Sequence, residues 1–351
     1  MKKTTTAIET IGCDLGDKRT EIYVLRRSGG CTRQTVRTSK ADLERWFSRP
    51  RAHVVIEAGT HSRWVSDLLK SLGHKVTVAN PRKVKLISEA DDKSDRHDCE
   101  WLARLGRADV KLLAPITHRP IQAQADLAVP KARDILVAAR TKLVNHVRGT
   151  LKSFGLRLPS CSSASFVRKT RESVPALLRP ALEPIYESLQ RINEQILEHD
   201  GTIDRMAKRH ADVEVISQPD SVGNLTALVF MLTIEDKNRF KSSRMVGAFV
   251  GLRPRKSQSG DDDPQLRITK SGDPLLRKLL VNCANRILGP FGKDCDLRRW
   301  GLELAKRGGK NAKKRAKVAV ARKLAVLMHR LWVTGEVYQP LGYRDSQRAA
   351  A

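Results

Sequence analysis

The stretch AHVVIEAG, residues 52–59, constrains the fold of this chain more than any other. Its apolar positions are consecutive and β-branched, which predicts a buried strand ending at Glu57. The segments around it alternate in period. TIGCDLG reads as a strand ending near Asp14, TEIYVLRR as a second, and CTRQTVRTS as a third joined through Gly29 and Gly30. KADLERWFS then has helical spacing. After the buried strand, HSRWVSDLLKSLG is a helix stopped by Gly73, and HKVTVAN is a strand halted at Asn80-Pro81. Helices follow at about 82–89 and 94–107. An antiparallel meander followed by alternating units predicts a mixed sheet with helices packed on it.

Such a sheet gathers its ligands at strand ends. Asp14 ends the first strand and Glu57 the fourth. In KSDRHDCEWLARL, Asp95 and Asp98 lie three apart, on a helical face that continues through Trp101 or Leu102 to Leu105. His97 falls one position off that face, which puts it in solvent. Four carboxylates converging on one edge repel one another and are costly to bury unpaired. A hard divalent cation, Mg²⁺ or Mn²⁺, removes the conflict, because oxygen ligands suit it. Acids in a first helical turn also favour the helix dipole, so that plainer role stays open for Asp95 and Asp98.

Charge narrows the partners. Lys and Arg number 66 against 38 acids, a net of +28. Residues 221–351 hold +16 of it, against +7 in 1–110 and +5 in 111–220. A concentrated excess of this kind favours a polyanion. No window approaches 18 uninterrupted apolar residues, so no membrane span is expected. The start MKKTTTAIET lacks the apolar core of a secretory signal. Six cysteines without a CxxC pair indicate neither a zinc site nor a disulfide framework, and a reducing cytoplasm is the natural setting.

TIGCDLG, VVIEAGTHSRWV and KSDRHDCEWLARL, in this order and spacing, resemble the RNase H-like, specifically RuvC-like, domain of one insertion-sequence recombinase family. Its members pair an N-terminal D–E–D–D domain with a separate C-terminal domain carrying a serine, and several are guided by a bridge RNA. Further on, KARDILVAARTKLVNHVRGTLKSFGL is helical to Gly155, with a stripe of Leu136, Leu143, Val147, Leu151 and Phe154. Arg140 and Arg148 belong to a string that resembles the family's connecting helix, and both are candidates for nucleic-acid contact. Residues 116–130, with Pro120 and Pro130, read as a linker or a helix edge. A helix over about 176–209 carries Ile185, Leu189, Ile192, Ile196, Ile203 and Met206 at four-three spacing. It suits an intramolecular hairpin or an inter-subunit coil equally, and the resemblance implies oligomers.

RFKSSRMVGAFVGLRPRKSQSGDDDPQLRITKSGDPLLRKLLVNCANRIL is similar to the family's C-terminal signature. The resemblance puts the catalytic serine in its Ser-Gly loop, at Ser259, with Ser257 the near rival. Chemistry alone favours a solvated turn serine, since no neighbouring base is evident. Gly260 permits a tight turn, and Arg253, Arg255, Lys256, Arg267 and Lys270 supply positive charge for phosphate. Asp273 with Pro274 predicts a capped helix start. In ISQPDSVGNLTALVFMLTIED, Ser221-Val222-Gly223 stands where the family has Gly-hydrophobic-Gly, so a phosphate turn and a plain cap by Ser221 or Asn224 both remain open. Finally Lys310, Lys313, Lys314, Arg315 and Lys317 crowd the start of a helix whose stripe is Val320, Leu324, Leu327 and Leu331, an arrangement bound phosphate would relieve.

The expected architecture is an RNase H-like mixed-sheet domain over 1–115, a helical connector or coiled coil over 116–212, a mostly helical basic domain over 213–340 and a tail over 341–351. The expected function is that of an insertion-sequence DNA recombinase. It would use Mg²⁺ at Asp14, Glu57, Asp95 and Asp98 and a covalent phosphoserine at Ser259, with DNA, a structured guide RNA and its own copies as partners. A junction-resolving nuclease without a serine link and a non-catalytic nucleic-acid binder are the alternatives.

Overall fold

The computed structural model describes residues 8–82, 84, 95–260, 262, 264, 266–309 and 311–342, with the backbone alone for Asp95 and Arg96. The chain divides into two compact units between His118 and Arg119. In the first, five strands run β1 (Thr10–Leu15), β2 (Arg19–Leu25), β3 (Cys31–Arg37), β4 (His53–Glu57) and β5 (Lys75–Ala79). Their spatial order is β3-β2-β1-β4-β5. The first three are antiparallel, while β4 joins β1, and β5 joins β4, in parallel. The mixed sheet and its helices are as expected. The helix anticipated over 82–89 falls almost wholly outside the described residues.

Strand alternation sorts the side chains between two faces. Ile11, Cys13, Ile22, Val24, Val54 and Ile56 enter one core with Leu43 and Phe47 of α1 (Lys40–Phe47) and Val65, Leu68 and Leu69 of α2 (Ser62–Ser71). The intervening residues face α3 (Asp95–Ala108): Val55 packs with Leu102 and Leu105, and Tyr23 and Leu25 pack with Cys99 and Ala103. Helix α3 presses on β1 because Gly12 has no side chain. A Cβ there would stand 1.9 Å from the Cys99 carbonyl oxygen and 2.6 Å from the Ala103 nitrogen. Burial of Leu102 and Leu105 but not Trp101 settles which apolar stripe faces the core.

The second unit opens on a long hairpin. Helix α4 (Ile121–Ser153) packs against α6 (Arg179–Lys208), with the short α5 (Phe166–Thr170) between them. Arg133 pairs with Asp200, and Arg140 donates to Asn193 at 2.9 Å, so the two helices run antiparallel. The intramolecular hairpin is therefore formed within the chain. Two expectations need correction. Residues 116–130 are not a linker throughout: α4 begins at Ile121 behind Pro120 and continues through Pro130, which is buried. Phe154 leaves the stripe, 54% exposed, because α4 stops at Ser153 and Gly155 turns at φ +76°; Val144 takes the core position instead.

Beyond the hairpin lie α7 (Ala211–Ser217), α8 (Asn224–Ile234), α9 (Val246–Phe249), α10 (Pro274–Leu288), α11 (Asp296–Lys306) and α12 (Ala312–Thr334). Helix α8 is buried from Thr226 to Ile234, as a helix apolar on all sides must be. Asp273 caps α10, accepting from the Leu276 N–H at 3.0 Å. The stripe Val320, Leu324, Leu327 and Leu331 of α12 is buried as expected.

Candidate active site

The parallel pairing of β1 with β4 ends at Cys13 and Ile56. One residue on, Asp14 and Glu57 come side by side, on strands about 4.8 Å apart. Both fall on the α3 face, Asp14 in phase with Gly12 and Glu57 in phase with Val55. Asp98 sits on α3 immediately before Cys99, whose carbonyl lies over Gly12. All three acids are half-buried. The electrostatics agree with this placement. Burial pushes the Cys99 thiol up to about 12, and the carboxylates of Glu21 and Asp14 add to the rise while Arg33 opposes it. The Cys13 thiol is likewise raised, by burial first and then by Cys99 and Asp14. The side chain of Asp95 lies outside the described residues, though its backbone opens α3 as expected. His97 is exposed.

Glu21 was not anticipated. It is registered directly across from Asp14 on β2, and so shares its face. The Thr35 hydroxyl sits 2.8 and 2.9 Å from its two oxygens, which turns Glu21 toward β3. The sequence signal was the alternation of TEIYVLRR, which puts Glu21 out of phase with Ile22 and Val24.

The donor set is carboxylate oxygen, the chemistry that a hard divalent cation takes. Asp14 and Glu57 fit such an ion in kind and in adjacency. Among the described residues, however, no group of three or more His, Cys, Asp or Glu side chains stands ready to hold a metal. The described acids form an adjacent pair, with Asp98 on the helix that packs over β1, rather than a closed coordination shell.

In the second unit, the serine loop is a hairpin. The Arg255 N–H donates to the Arg267 carbonyl at 2.9 Å, and the Thr269 N–H to that of Arg253 at 2.9 Å. At its tip, Ser259 and Asp262 exchange both backbone hydrogen bonds, each 3.1 Å long. That closes a two-residue turn in which Gly260 takes φ +56°, as primed hairpin turns require. The root is clamped. Gly251 (φ +73°) lies so close to Ser271 that a Cβ would stand 2.1 Å from its carbonyl oxygen, and Arg277 donates to the Val250 and Ser271 carbonyls. Ser257 and Ser259 are exposed, and neither hydroxyl makes a hydrogen bond among the described residues. Asp261 and Asp263 lie outside them.

Arg253, Arg255, Lys256, Arg267 and Lys270 are all exposed along this hairpin. Arg267 and Lys270 line a groove of about 1020 Å³ with Lys314 and Arg315 at the start of α12. Its apolar lining includes Leu252, Ile268, Trp300 and Val318. Arg307 and Arg322 also line it and were not anticipated. Lys313 is exposed and Lys317 half-buried on the same turns, while Lys310 lies outside the described residues. Hairpin and basic helix start, separated by more than 40 residues of sequence, thus converge on one groove.

Other candidates are placed differently. Arg140 lies half-buried against Asn193, and burial lowers its pKa, with Arg133 adding to the effect. Arg148 donates to the Pro159 carbonyl and lies over the Phe166 ring. Both guanidinium groups are engaged inside the hairpin. Gly223 is the N-cap of α8, and neither Ser221 nor Asn224 bonds its first turn: Asn224 donates to Asp204, and the buried Ser221 hydroxyl has no partner among the described residues. No described helix is long and apolar enough to cross a membrane.

Comparison with known proteins agrees with this anatomy. Residues 11–155 match a DEDD transposase family model, and residues 213–292 match the model described as the IS116/IS110/IS902 family of transposases. The chain is 30% identical, over 82% of its length and 79% of the relative's, to the transposase of insertion sequence element IS1111A of Coxiella burnetii. It is 28% identical to a probable family 20 transposase of Pseudomonas aeruginosa, over 95% of its own length and 99% of the other's. The IS1328 transposase of Yersinia enterocolitica is 29% identical, over 79% and 83% respectively. With a DEDD domain on a mixed sheet, a helical C-terminal region and full-length relatives of one kind, the chain belongs to the IS110/IS116 family of insertion-sequence transposases.

Proposed function

We propose that this transposase cuts and rejoins DNA through a covalent phosphoserine at Ser259, aided by Mg²⁺ or Mn²⁺ held at Asp14, Glu57, Asp95 and Asp98. The observation that carries the reading is the built serine hairpin: a clamped root, a two-residue turn, and Ser259 exposed at the tip. Bound at the acids, the cation supplies Lewis-acid polarisation of phosphate and neutralises charge. The Ser259 hydroxyl attacks phosphorus and forms the serine–phosphate ester. The bond from phosphorus to the leaving deoxyribose oxygen breaks, that oxygen takes a proton, and the serine proton passes to solvent or to a neighbouring base. Rejoining reverses the step, with a deoxyribose hydroxyl attacking the phosphoserine and freeing the serine. One phosphate ester is exchanged for another, so no nucleotide triphosphate is needed.

Arg253, Arg255, Lys256, Arg267 and Lys270 hold the flanking phosphates, and Lys313, Lys314, Arg315 and Lys317 extend that hold along α12, with Lys310 given the same role. The acids belong to one unit of the chain and the serine to the other. Acids and serine from different copies in a dimer or tetramer would make cutting depend on assembly. A structured guide RNA supplies sequence choice, in keeping with aromatic residues making up only 5% of the chain and offering few stacking platforms.

A denaturing gel tests the reading. With its DNA, the required RNA and Mg²⁺, the protein should remain attached to one cut end, and Ser259→Ala should abolish the adduct while Ser257→Ala keeps it. Free cut ends from Ser259→Ala would instead establish a hydrolytic nuclease.

A further inference from the structure

A second basic groove, of about 1200 Å³, lies in the first unit between β3 and α1 and runs on to the start of β4. Six arginines line it: Arg26, Arg27, Arg37, Arg45, Arg49 and Arg51. Only two acids join them, Glu9 and Asp42, and Asp42 is engaged by the Ser39 hydroxyl at 2.7 Å and by Arg45 at 3.6 Å. Arg26, Arg27, Arg37 and Arg51 are exposed and make no ion pair among the described residues. An excess of guanidinium with no protein counter-charge favours an external anion.

The groove wraps the edge strand β3, with Thr35 and Arg37 on its rim in phase with Glu21, and its Arg26 and Arg51 flank the Thr10 and His53 ends of β1 and β4, opposite the ends that carry Asp14 and Glu57. Gln34 and Val36, which line it, are registered with Ile22 and Thr20, and Ile22 enters the α1–α2 core. Asp14 and Glu57 point to the α3 face. A ligand in this groove is therefore not held at the scissile phosphate.

Its geometry also says how the ligand is read. Trp46 donates its indole N–H to Gln34 at 2.5 Å. The Arg49 guanidinium is stacked 3.4 Å over the Trp46 ring, and its Nε donates to the Trp46 carbonyl at 2.9 Å. With one ring face already covered, Trp46 is a pedestal for Arg49 rather than a platform for a base. Strand β3 has seven residues, so the lane is about 23 Å long. One strand of a duplex passes a phosphate every ~3.4 Å of axis while winding around it, so of the roughly six phosphates over such a lane about three face the protein.

We infer that the Arg26–Arg51 groove is a second nucleic-acid site, which grips a phosphodiester backbone by charge, without base readout, around the edge strand and apart from the acidic site. RNA and DNA share that chemistry, and the test separates them.

The full-length protein and an Arg27→Gln/Arg37→Gln/Arg51→Gln variant are titrated, by fluorescence anisotropy, with a labelled RNA hairpin and a labelled DNA duplex between 50 and 200 mM salt. Each lost phosphate contact flattens the slope of log K against log salt by about 0.9 on duplex DNA. The variant should therefore lose about 2 to 3 from the slope, with affinity falling about tenfold or more. Flattening with RNA alone makes the groove an RNA site, with DNA alone a DNA site, and with both a site for either. Unchanged slopes for both ligands, in a variant with wild-type circular dichroism and melting, overturn the inference. Arg27→Glu alone, in the exposed β2–β3 turn, repeats the test should the triple variant not fold. Running Asp14→Asn in parallel keeps the two proposals apart, since it should lose cutting and keep this binding.

Discussion

Replacing Gly12 by alanine should displace the acidic helix from the acidic strand. The new Cβ would stand 1.9 Å from the Cys99 carbonyl oxygen and 2.6 Å from the Ala103 nitrogen, both backbone atoms of α3. To reach an ordinary 3.4 Å contact, the helix must retreat by about 1.5 Å at Cys99. Overpacking of this kind costs about 1–3 kcal/mol. In a unit of this size that is a melting shift on the order of 10 °C. Asp98 rides on the displaced turn, and a misplacement of about 1 Å in a catalytic group costs roughly 10²-fold in rate. Gly106→Ala is the control. Its Cβ meets the Cγ2 of the buried, stiff Val55 at 2.5 Å, so it should cost a similar amount of stability, about 1–3 kcal/mol, but, lying about two turns from Asp98, with a smaller loss of cutting. The assays are thermal unfolding and metal-dependent DNA cutting by both variants. A Gly12→Ala protein with wild-type melting and wild-type cutting would refute both the close packing of α3 on β1 and the role given to Asp98.

Three further outcomes follow from named contacts. Gly251→Ala should lower adduct yield by loosening the serine hairpin, because its φ of +73° and the 2.1 Å approach to Ser271 leave no room for a Cβ; Gly260→Ala, at φ +56° in open space, should cost only about 1–2 kcal/mol of local strain. Asp273→Ala should destabilise the second unit by about 1 kcal/mol in denaturant melts, with Asp273→Asn restoring the cap. Burial, with Lys75 adding to it, lowers the pKa of His53 to about 4 from 6.5, so the unfolded chain takes up its proton first as pH falls. Stability should therefore drop between about pH 6.5 and 4, by up to about 3 kcal/mol, and melts of His53→Gln should lose that part of the pH dependence.

The first unit was legible because its strands announce themselves by period. VVI marks β4, alternation marks β1 and β2, and Gly73 and Asn80-Pro81 mark stops that the structure keeps. That Asp14 and Glu57 end strands was legible, whereas their adjacency needed the pairing of β1 with β4, and Glu21 needed the register. The hairpin helices were legible in outline, but Pro130 hid the first ten residues of α4. Its buried packing outweighs the helix-breaking tendency of the ring, a tertiary effect no local rule contains. Arg140 and Arg148 show a similar limit. A basic residue on a helix serves an anion or a carbonyl equally well, and in this structure Asn193 and Pro159 are among the partners that Arg140 and Arg148 take. Neither groove was visible as such. Arg26, Arg37 and Arg51 come from a turn, an edge strand and a loop, while Arg267 and Arg315 come from a hairpin and a helix. Only folding brings each set together.

The residue that carries the DNA phosphate in the covalent adduct tests the central claim most directly. Nuclease digestion of the adduct, followed by proteolysis and mass spectrometry, should place a nucleotide on Ser259, in a Mg²⁺-dependent reaction that Asp14→Asn abolishes. A nucleotide on any other residue, Ser257 included, or cut DNA with no nucleotide left on the protein, would contradict it.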